Sequence, residues 1–231
     1  MAAVSSSPDD DREWTLGRRV HLELRAWLMS GRLSPGDKVS LRRVADELGV
    51  SMQPVRDAVG RLVAEEALEV LPNRAVRVPR MTLARFREIT LIRLKIEGFA
   101  AETAALARDG KDVVAIRRHA TAFAVQCDAV TPDTSRAVAE NQALHFAVYR
   151  AAKLGTLIPI IEGLWLRIGP ILNLDMRASP ARLADGGAAR CHRDLVAAIE
   201  RRDGGRARSA LEADIEGAAA FIERQGALPG D

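Results

Sequence analysis

The stretch from Leu41 to Leu71 constrains the fold of this 231-residue chain more than any other segment. Its first part repeats apolar residues at helical spacing, and Gly49 is the residue type that takes a left-handed turn at low cost. Ser51 then offers a hydroxyl to cap a second helix, and Pro54 lies in that helix's first turn, where a missing N–H costs least. The pattern therefore predicts two short helices joined by a tight turn.

The apolar residues of each predicted helix fall on one face, which predicts that the two helices pack together. They are Leu41, Val44, Ala45 and Leu48 in the first helix and Val55, Ala58, Val59 and Leu62 in the second. The opposite face of the second helix carries Gln53, Arg56 and Arg61. Arg and Gln near the start of a second helix are what a helix-turn-helix needs to place side chains in a major groove.

Two β-prone runs follow, Leu68–Leu71 and Ala75–Val78, and Pro72, Asn73 and Arg74 separate them. This spacing predicts a two-stranded wing. Upstream, the periodicity from Glu13 to Ser30 predicts a helix, so that residues 13–78 would form one winged helix-turn-helix domain. Residues 1–12 are rich in Ser and Asp without periodicity, which predicts a disordered tail.

Beyond residue 78 the sequence shows no strand pattern. Residues 79–82 read as a linker, and Gly and Pro punctuation divides residues 83–228 into about six helices, near 83–108, 111–128, 133–153, 156–176, 187–202 and 205–225. Short loops between such helices favour antiparallel neighbours. The predicted fold is therefore mainly α, with an N-terminal winged helix-turn-helix and a C-terminal all-α antiparallel bundle.

Four separated residues of the bundle suggest a metal site. Asn141 and His145 are four residues apart and share a helical face. His192 and Asp214 lie about eleven residues on either side of the turn at Asp203, so that a helical hairpin would bring them level. Two imidazoles, a carboxylate and an amide oxygen suit a divalent ion such as zinc or nickel, with positions left open for a ligand.

Composition adds little to these motifs. The formal net charge of +3 is too small to indicate a nucleic-acid partner by itself. The chain has two cysteines, Cys127 and Cys191, and shows no signal peptide and no apolar run near the roughly 18 residues of a membrane span. We therefore expect a cytoplasmic protein with no membrane partner.

The N-terminal motifs resemble the winged helix of GntR-type bacterial transcription regulators over residues 16–78. The resemblance implies contacts with DNA bases and phosphates through Arg42 and Arg56, and a minor-groove contact through Asn73 and Arg74 at the wing tip. Residues assigned to the DNA surface are Arg42, Arg43, Ser51, Met52, Gln53, Arg56, Asn73 and Arg74. The sequence departs from the family at Met52, where Arg is usual, and at Ala67 and Ala75, where Gly is usual.

The bundle resembles the FCD ligand-sensing domain of the FadR subfamily, in which one Asp and three His hold a metal. Asn141 stands in the place of the Asp, and Asp214 in the place of the last His, while His145 and His192 match. The set thus keeps one carboxylate, but at the position of the last His instead of the position of the Asp. Arg93 matches the family's pocket arginine, which would clamp a carboxylate, and the alternative is an ion pair with Glu97, four residues on.

Three functions follow from these patterns. The first is a homodimeric regulator, presumed to repress, that binds an inverted-repeat operator in double-stranded DNA and senses a small organic acid through the metal. In the second, the bundle only dimerises or senses a ligand without metal. The third is a metal-dependent hydrolase, which ranks last because the sequence shows no spare positioned carboxylate or nucleophile. We therefore expect a protein that is not an enzyme.

Overall fold

The computed structural model describes residues 8–178, 183, 185–226 and 228–230. The chain divides into two compact units, Met1–Arg80 and Met81–Asp231. The boundary lies within the predicted linker at residues 79–82. Residues 1–7 of the predicted disordered tail lie outside the described residues.

The described part of the first unit, residues 8–80, contains three helices and three short strands. Along the chain these are α1 (Pro8–Met29), β1 (Lys38–Val39), α2 (Leu41–Leu48), α3 (Met52–Ala64), β2 (Glu69–Val70) and β3 (Val76–Arg77). Helix α1 begins five residues before the predicted start at Glu13, so the backbone of residues 8–12 is helical rather than part of an irregular tail. The sequence did not predict this extension because residues 8–12 show no apolar periodicity.

The helix-turn-helix has the predicted boundaries to within one or two residues. The Ser40 hydroxyl caps α2 by accepting a bond from the Arg43 N–H, and Gly49 ends that helix with a φ of 64°. Helix α3 packs its predicted apolar face on α1, and buried side chains from both helices form the centre of the unit: Val20, Leu24, Leu28, Val55, Ala58 and Leu62. The Glu65 carboxylate then accepts bonds from His21 and Arg25, which fixes the end of α3 to α1.

The wing is a three-stranded antiparallel sheet in the order β1-β3-β2. Strands β2 and β3 are the predicted pair, with Val70 opposite Val76. Strand β1 was not predicted, because two residues, Lys38 and Val39, are too few to show a period-two pattern. Its pairing with β3 anchors the wing to the segment that precedes α2.

The second unit is helical throughout its described part. Its helices are α4 (Leu83–Ala107), α5 (Gly110–Cys127), α6 (Thr134–Ala151), α7 (Leu157–Ala178), α8 (Gly187–Glu200) and α9 (Gly204–Arg224). The six predicted helices correspond to these. Thr82, Asp109, Asp133 and Asp203 cap α4, α5, α6 and α9 through their side chains, a local signal that reinforces the Gly and Pro punctuation from which the helices were predicted.

Helix α4 packs against α6, α7, α8 and α9. Its contact with α9 is close at Gly98, where an added Cβ would lie 3.2 Å from the Glu212 Cγ atom. Helices α8 and α9 form the predicted hairpin around Asp203, and both pack on α4. Within the described residues, no helix is both long and apolar enough to cross a membrane.

Candidate functional site

The predicted DNA-binding side chains of the two short helices are mostly exposed. Arg42 and Arg43 are exposed on the first turn of α2, and Gln53 and Arg56 are exposed on α3. Val55 and Ala58, their neighbours along α3, are buried against the rest of the unit. The sequence therefore leaves the polar face of α3 accessible to a partner while its apolar face holds the helix in place.

Ser51 and Met52 lie where the turn enters α3. Ser51 occupies the N-cap position, as predicted, but its hydroxyl makes no capping hydrogen bond and is exposed. A free hydroxyl beside unpaired backbone N–H groups at a helix start suits a phosphate oxygen. Met52 is the first residue of α3 and is half-buried, so that part of its side chain faces outward with Gln53.

Asp57 was missed by the sequence interpretation. It is exposed on α3, and its carboxylate accepts a hydrogen bond of 3.0 Å from the Gln53 side-chain amide. The two residues are four apart and share one helical face, a spacing that could have indicated the pair. The bond orients the Gln53 amide before any partner binds, and Asp57 adds a negative charge beside the arginines of this surface.

The wing tip is a tight turn between β2 and β3. The Leu71 carbonyl accepts from the Arg74 N–H, and the Asn73 side-chain oxygen accepts from the Ala75 N–H. The residue in the left-handed region is Arg74, with a φ of 62°, rather than Ala75 at the position where Gly is usual. At the end of α3 it is likewise Glu66, not Ala67, with a φ of 57°. Neither alanine is strained in this way, and Asn73 and Arg74 are exposed.

Three of the four predicted metal ligands meet in the core of the bundle. His145 from α6, His192 from α8 and Asp214 from α9 are buried, and their potential ligand atoms lie within 4.8 Å of one another. The His145 Nε2 atom is 3.2 Å from Asp214 Oδ2, and the His192 Nε2 atom is 3.6 Å from Asp214 Oδ1. The hairpin of α8 and α9 thus places His192 and Asp214 level, as predicted.

The fourth predicted ligand, Asn141, lies one helical turn before His145 on α6 and is half-buried. Its position on the same helical face agrees with the predicted spacing. Its role as a ligand stays a prediction.

His192 is an unusual buried imidazole. Its side chain is 1% exposed, and within the described part of the chain neither of its ring nitrogens has a hydrogen-bond partner. Its ring lies 4.7 Å from the ring of Phe123 and 5.6 Å from that of His145, centre to centre. An unsatisfied buried nitrogen costs about 1 to 3 kcal/mol, so this arrangement favours a bound group that accepts a lone pair.

The Asp214 carboxylate is the charged centre of this cluster. Burial alone would raise its pKa, but His192 and His145 face it and hold the pKa well below the ordinary value for Asp. Asp214 is therefore ionised across the neutral range. An anionic oxygen and two imidazoles form a donor set suited to a divalent cation.

Arg93 pairs with Glu97, the alternative that its spacing offered. Both are buried on α4, and the Arg93 Nε and Nη2 atoms donate bonds of 2.6 and 3.1 Å to the two carboxylate oxygens of Glu97. The guanidinium also lies 5.2 Å from the centre of the Trp165 ring. A carboxylate clamp by Arg93 stays a prediction, because the structure shows this guanidinium with a resident carboxylate already bound.

Tyr149 links this ion pair to the metal cluster and was missed in the sequence. Its hydroxyl donates a hydrogen bond to Glu97 and lies 3.0 Å from the Nδ1 atom of His145. Burial and the nearby Glu97 carboxylate raise the pKa of Tyr149 well above its ordinary value, so the phenol stays protonated. Its position four residues after His145 could have indicated the contact.

A winged helix-turn-helix joined to a helical bundle with a buried donor cluster defines a DNA-binding transcription regulator. Residues 16–78 match the family described as bacterial regulatory proteins, gntR family, and residues 88–217 match the FCD domain. The chain belongs to the GntR family and carries an FCD domain. It is therefore a transcription regulator and not an enzyme, which removes the hydrolase alternative.

Several regulators are similar to this chain over most of its length. The HTH-type transcriptional regulator McbR of Escherichia coli K12 is 30% identical over 172 residues, which are 74% of this chain and 77% of that protein. A probable D-xylose utilization operon transcriptional repressor of Paenarthrobacter nicotinovorans is 30% identical over 176 residues, 76% of this chain and 75% of that one.

Solved structures agree with this assignment. The structure of E. coli McbR/YncC has a TM-score of 0.84 and 28% identity, and the match covers 91% of this chain and 98% of that one. A putative GntR regulator from Rhodococcus sp. RHA1 has a TM-score of 0.73 at 19% identity, covering 92% and 99% of the two chains, which shows a shared fold.

Proposed function

We propose that this regulator is a homodimeric repressor that binds an inverted-repeat operator in double-stranded DNA and responds to a small carboxylate through a divalent metal held in its bundle. The metal ligands would be His145, His192 and Asp214, with Asn141 as a fourth donor. The observation that carries the sensing part is the orphaned imidazole of His192 beside an ionised, buried carboxylate.

The separations of Asp214 from the two imidazoles are close to those around a bound metal, and all three potential ligand atoms lie within 4.8 Å of one another. Zinc–nitrogen and zinc–oxygen bonds of about 2.0 to 2.2 Å put neighbouring donors roughly 3 to 3.5 Å apart. The separations of Asp214 from His145 and His192 are 3.2 and 3.6 Å. Imidazole and carboxylate suit zinc or nickel. When bound, such an ion supplies a Lewis-acidic centre that a carboxylate ligand can reach through the remaining coordination positions.

The charges of the core favour an anionic effector. Arg93 and Glu97 neutralise each other, and Asp214 contributes one negative charge. A divalent ion would therefore leave a net charge of +1 in a buried environment, where an uncompensated charge is costly. A small carboxylate neutralises that charge. The alternative, a bundle that only dimerises, does not explain why the buried nitrogens of His192 have no hydrogen-bond partner among the described residues.

A stripe on α4 supports the homodimer. Leu91, Phe99 and Leu106 are 60%, 50% and 59% exposed, and helical spacing puts them on one face together with Lys95 and Glu102. We name these five residues the α4 stripe. Its charges lie on opposite sides of Phe99, so a two-fold axis at Phe99 would place Lys95 of one copy opposite Glu102 of the other. The Glu102 carboxylate also lies 3.3 Å from Arg208 of its own copy, so Lys95 would share it with that residue. A C₂ interface requires such self-complementarity.

Charge exchange tests the α4 stripe. Lys95→Glu and Glu102→Lys should each shift the protein toward monomer in multi-angle light scattering, because each places like charges across the axis. The double variant should restore the dimer. Arg193→Glu, an equal charge reversal on the exposed face of α8, should change nothing. Dimers of equal stability in all four variants would contradict this surface, and a monomeric wild type would contradict the homodimer itself.

Metal sensing is tested with His192→Ala. We expect the variant to lose metal binding and the response to effector together, while operator binding without effector stays near the wild-type level, because His192 lies in the second unit. The control is His119→Ala, which removes an imidazole bonded to Glu140 outside the cluster. A normal effector response in His192→Ala would refute the metal's role.

The operator should be identified by selection from random DNA, and the selected sites should be inverted repeats if two reading helices bind as a dimer. Calorimetry with candidate acids, with and without operator, then measures the coupling. An effector that lowers DNA affinity tenfold couples by about 1.4 kcal/mol, and DNA must weaken effector binding by the same factor. An acid that binds with the same affinity with and without operator would be excluded as the regulatory signal.

A further inference from the structure

Arg93, Glu97, Tyr149 and His145 form a continuous buried chain that runs from α4 to the donor cluster. Arg93 donates two bonds to Glu97, Tyr149 donates one to Glu97, and the Tyr149 oxygen is 3.0 Å from His145 Nδ1. The side chains of Arg93 and Glu97 are 4% and 0% exposed, and Tyr149 is fully buried. Solvent therefore cannot supply competing partners.

The direction of each hydrogen bond in this chain is determined by counting protons. A carboxylate paired with a guanidinium only accepts, and a phenol has a single proton to give. Since Tyr149 gives that proton to Glu97, the contact between Tyr149 and His145 must be an Nδ1–H donating to the phenol oxygen. His145 therefore carries a proton on Nδ1, and Nε2 is the atom that faces Asp214 Oδ2 at 3.2 Å.

We propose that Tyr149, oriented by Glu97 and Arg93, is a positioning residue that fixes His145 in the Nδ1–H tautomer, so that its Nε2 lone pair is presented to a divalent cation shared with His192 and Asp214. The metal part of this inference rests on the proposed function. A ligand histidine is generally oriented by a bond from its other nitrogen, and loss of such a partner weakens metal binding about 10- to 100-fold.

This inference gives Arg93 a different role from that of an effector clamp. Its bidentate bond holds the Glu97 carboxylate, and that carboxylate fixes the direction of the Tyr149 proton. If Glu97 were replaced by Gln, its amide could donate to the phenol, and the phenol could then donate to His145 Nδ1. The tautomer would reverse, and the proton would move to Nε2, where it would block a metal.

The test compares Tyr149→Phe with Trp165→Phe. Tyr149→Phe removes the acceptor for Nδ1–H with little change of shape. The Trp165 ring centre lies 5.3 Å from that of His145, and within the described residues its Nε1 atom has no hydrogen-bond partner. Trp165→Phe therefore alters packing around His145 without removing a hydrogen bond, and it keeps an aromatic ring beside Arg93. We expect Tyr149→Phe to bind Zn²⁺ or Ni²⁺ about 10- to 100-fold more weakly in calorimetry, and Trp165→Phe to bind within about threefold of wild type.

A second measurement uses the metal-free protein. Nitrogen-15 chemical shifts of the imidazoles should show His145 with Nδ1 protonated in the wild type and in Trp165→Phe. In Tyr149→Phe, Nδ1 should lose its proton in part of the molecules, because Asp214 then offers the one remaining acceptor among the described residues, at Nε2. An unchanged His145 spectrum in Tyr149→Phe would overturn the inference, as would equal loss of metal affinity in both variants. If the wild type binds no metal, the proposed function fails, whereas the tautomer measurement still decides the role of Tyr149.

Discussion

Metal binding should stabilise the second unit by an amount that can be worked out in advance. A ligand that binds only the folded state at 100 times its dissociation constant stabilises it by about 2.7 kcal/mol. The unit Met81–Asp231 has 151 residues, and an unfolding entropy of about 2.1 cal/mol/K per residue gives roughly 0.32 kcal/mol/K. The melting temperature of this unit should therefore rise by about 8 °C.

The perturbation that sharpens this prediction is Asn141→Asp. A carboxylate in place of the amide improves the donor set, and a tenfold gain in affinity adds about 1.4 kcal/mol, or roughly 4 °C more at the same metal concentration. If residue 141 is the fourth ligand, its extra carboxylate would lie near Asp214 without metal and should lower the melting temperature, because like charges repel. Asn141→Asp should thus increase the difference in melting temperature between metal-free and metal-loaded protein, by lowering the first and raising the second.

Differential scanning calorimetry with EDTA and with Zn²⁺ or Ni²⁺ measures both effects, and His192→Gln serves as the variant expected to show no shift. The transition of the first unit acts as an internal control, since metal should not move it. The reasoning is refuted if wild type and His192→Gln shift equally, because the stabilisation would then come from another site. It is also refuted if Asn141→Asp reduces the difference in melting temperature between metal-free and metal-loaded protein. Residue 141 would then not be a metal ligand.

Two further predictions concern the DNA surface. Arg56→Ala should cost about 1 to 3 kcal/mol on the specific operator while lowering non-specific binding far less, measured by fluorescence anisotropy with matched and scrambled DNA; equal losses on both would make Arg56 a phosphate contact only. Met52→Arg should shift the selected half-site toward guanine and weaken binding to the native operator, as seen by selection from a random pool, and an unchanged consensus would place this side chain away from the base edges.

The sequence allowed the fold to be predicted in most of its parts because local signals agreed with the packing. The capping residues Thr82, Asp109, Asp133 and Asp203 stand at helix starts, and the left-handed turn at Gly49 closes α2 as its residue type required. The parts that could not be predicted have weak local signals. Strand β1 has two residues and exists through its pairing with β3, which is a tertiary interaction.

The candidate site was predictable where it depended on helical geometry. Spacing within α6 predicted a shared face for Asn141 and His145, and symmetry about the turn at Asp203 predicted that His192 and Asp214 lie level. Spacing could not decide which partner Arg93 binds. Glu97, four positions later, competes with any external acid for the same guanidinium. Tyr149 was missed for a related reason. Its role depends on which way its hydroxyl proton points, and that direction is set by Glu97 on another helix.

The two departures from the ligand set that the family resemblance implies leave its charge unchanged, and this has a consequence for the effector. Asn141 replaces the acidic ligand on α6, and Asp214 replaces a histidine on α9. One negative charge therefore stays among the donors, so the charge on a bound divalent ion is compensated to the same extent. The carboxylate now faces both imidazoles from α9, at 3.2 and 3.6 Å.

Because Arg93 is neutralised by Glu97, the metal would be the main source of positive charge for an incoming acid. Acids that chelate through a carboxylate and a neighbouring hydroxyl or carbonyl oxygen should therefore bind better than simple monocarboxylates, since they gain a second bond to the metal without needing Arg93. Calorimetry with a 2-hydroxy acid and the matching acid without the hydroxyl decides this point, and equal affinities would show that binding relies on a cation other than the metal.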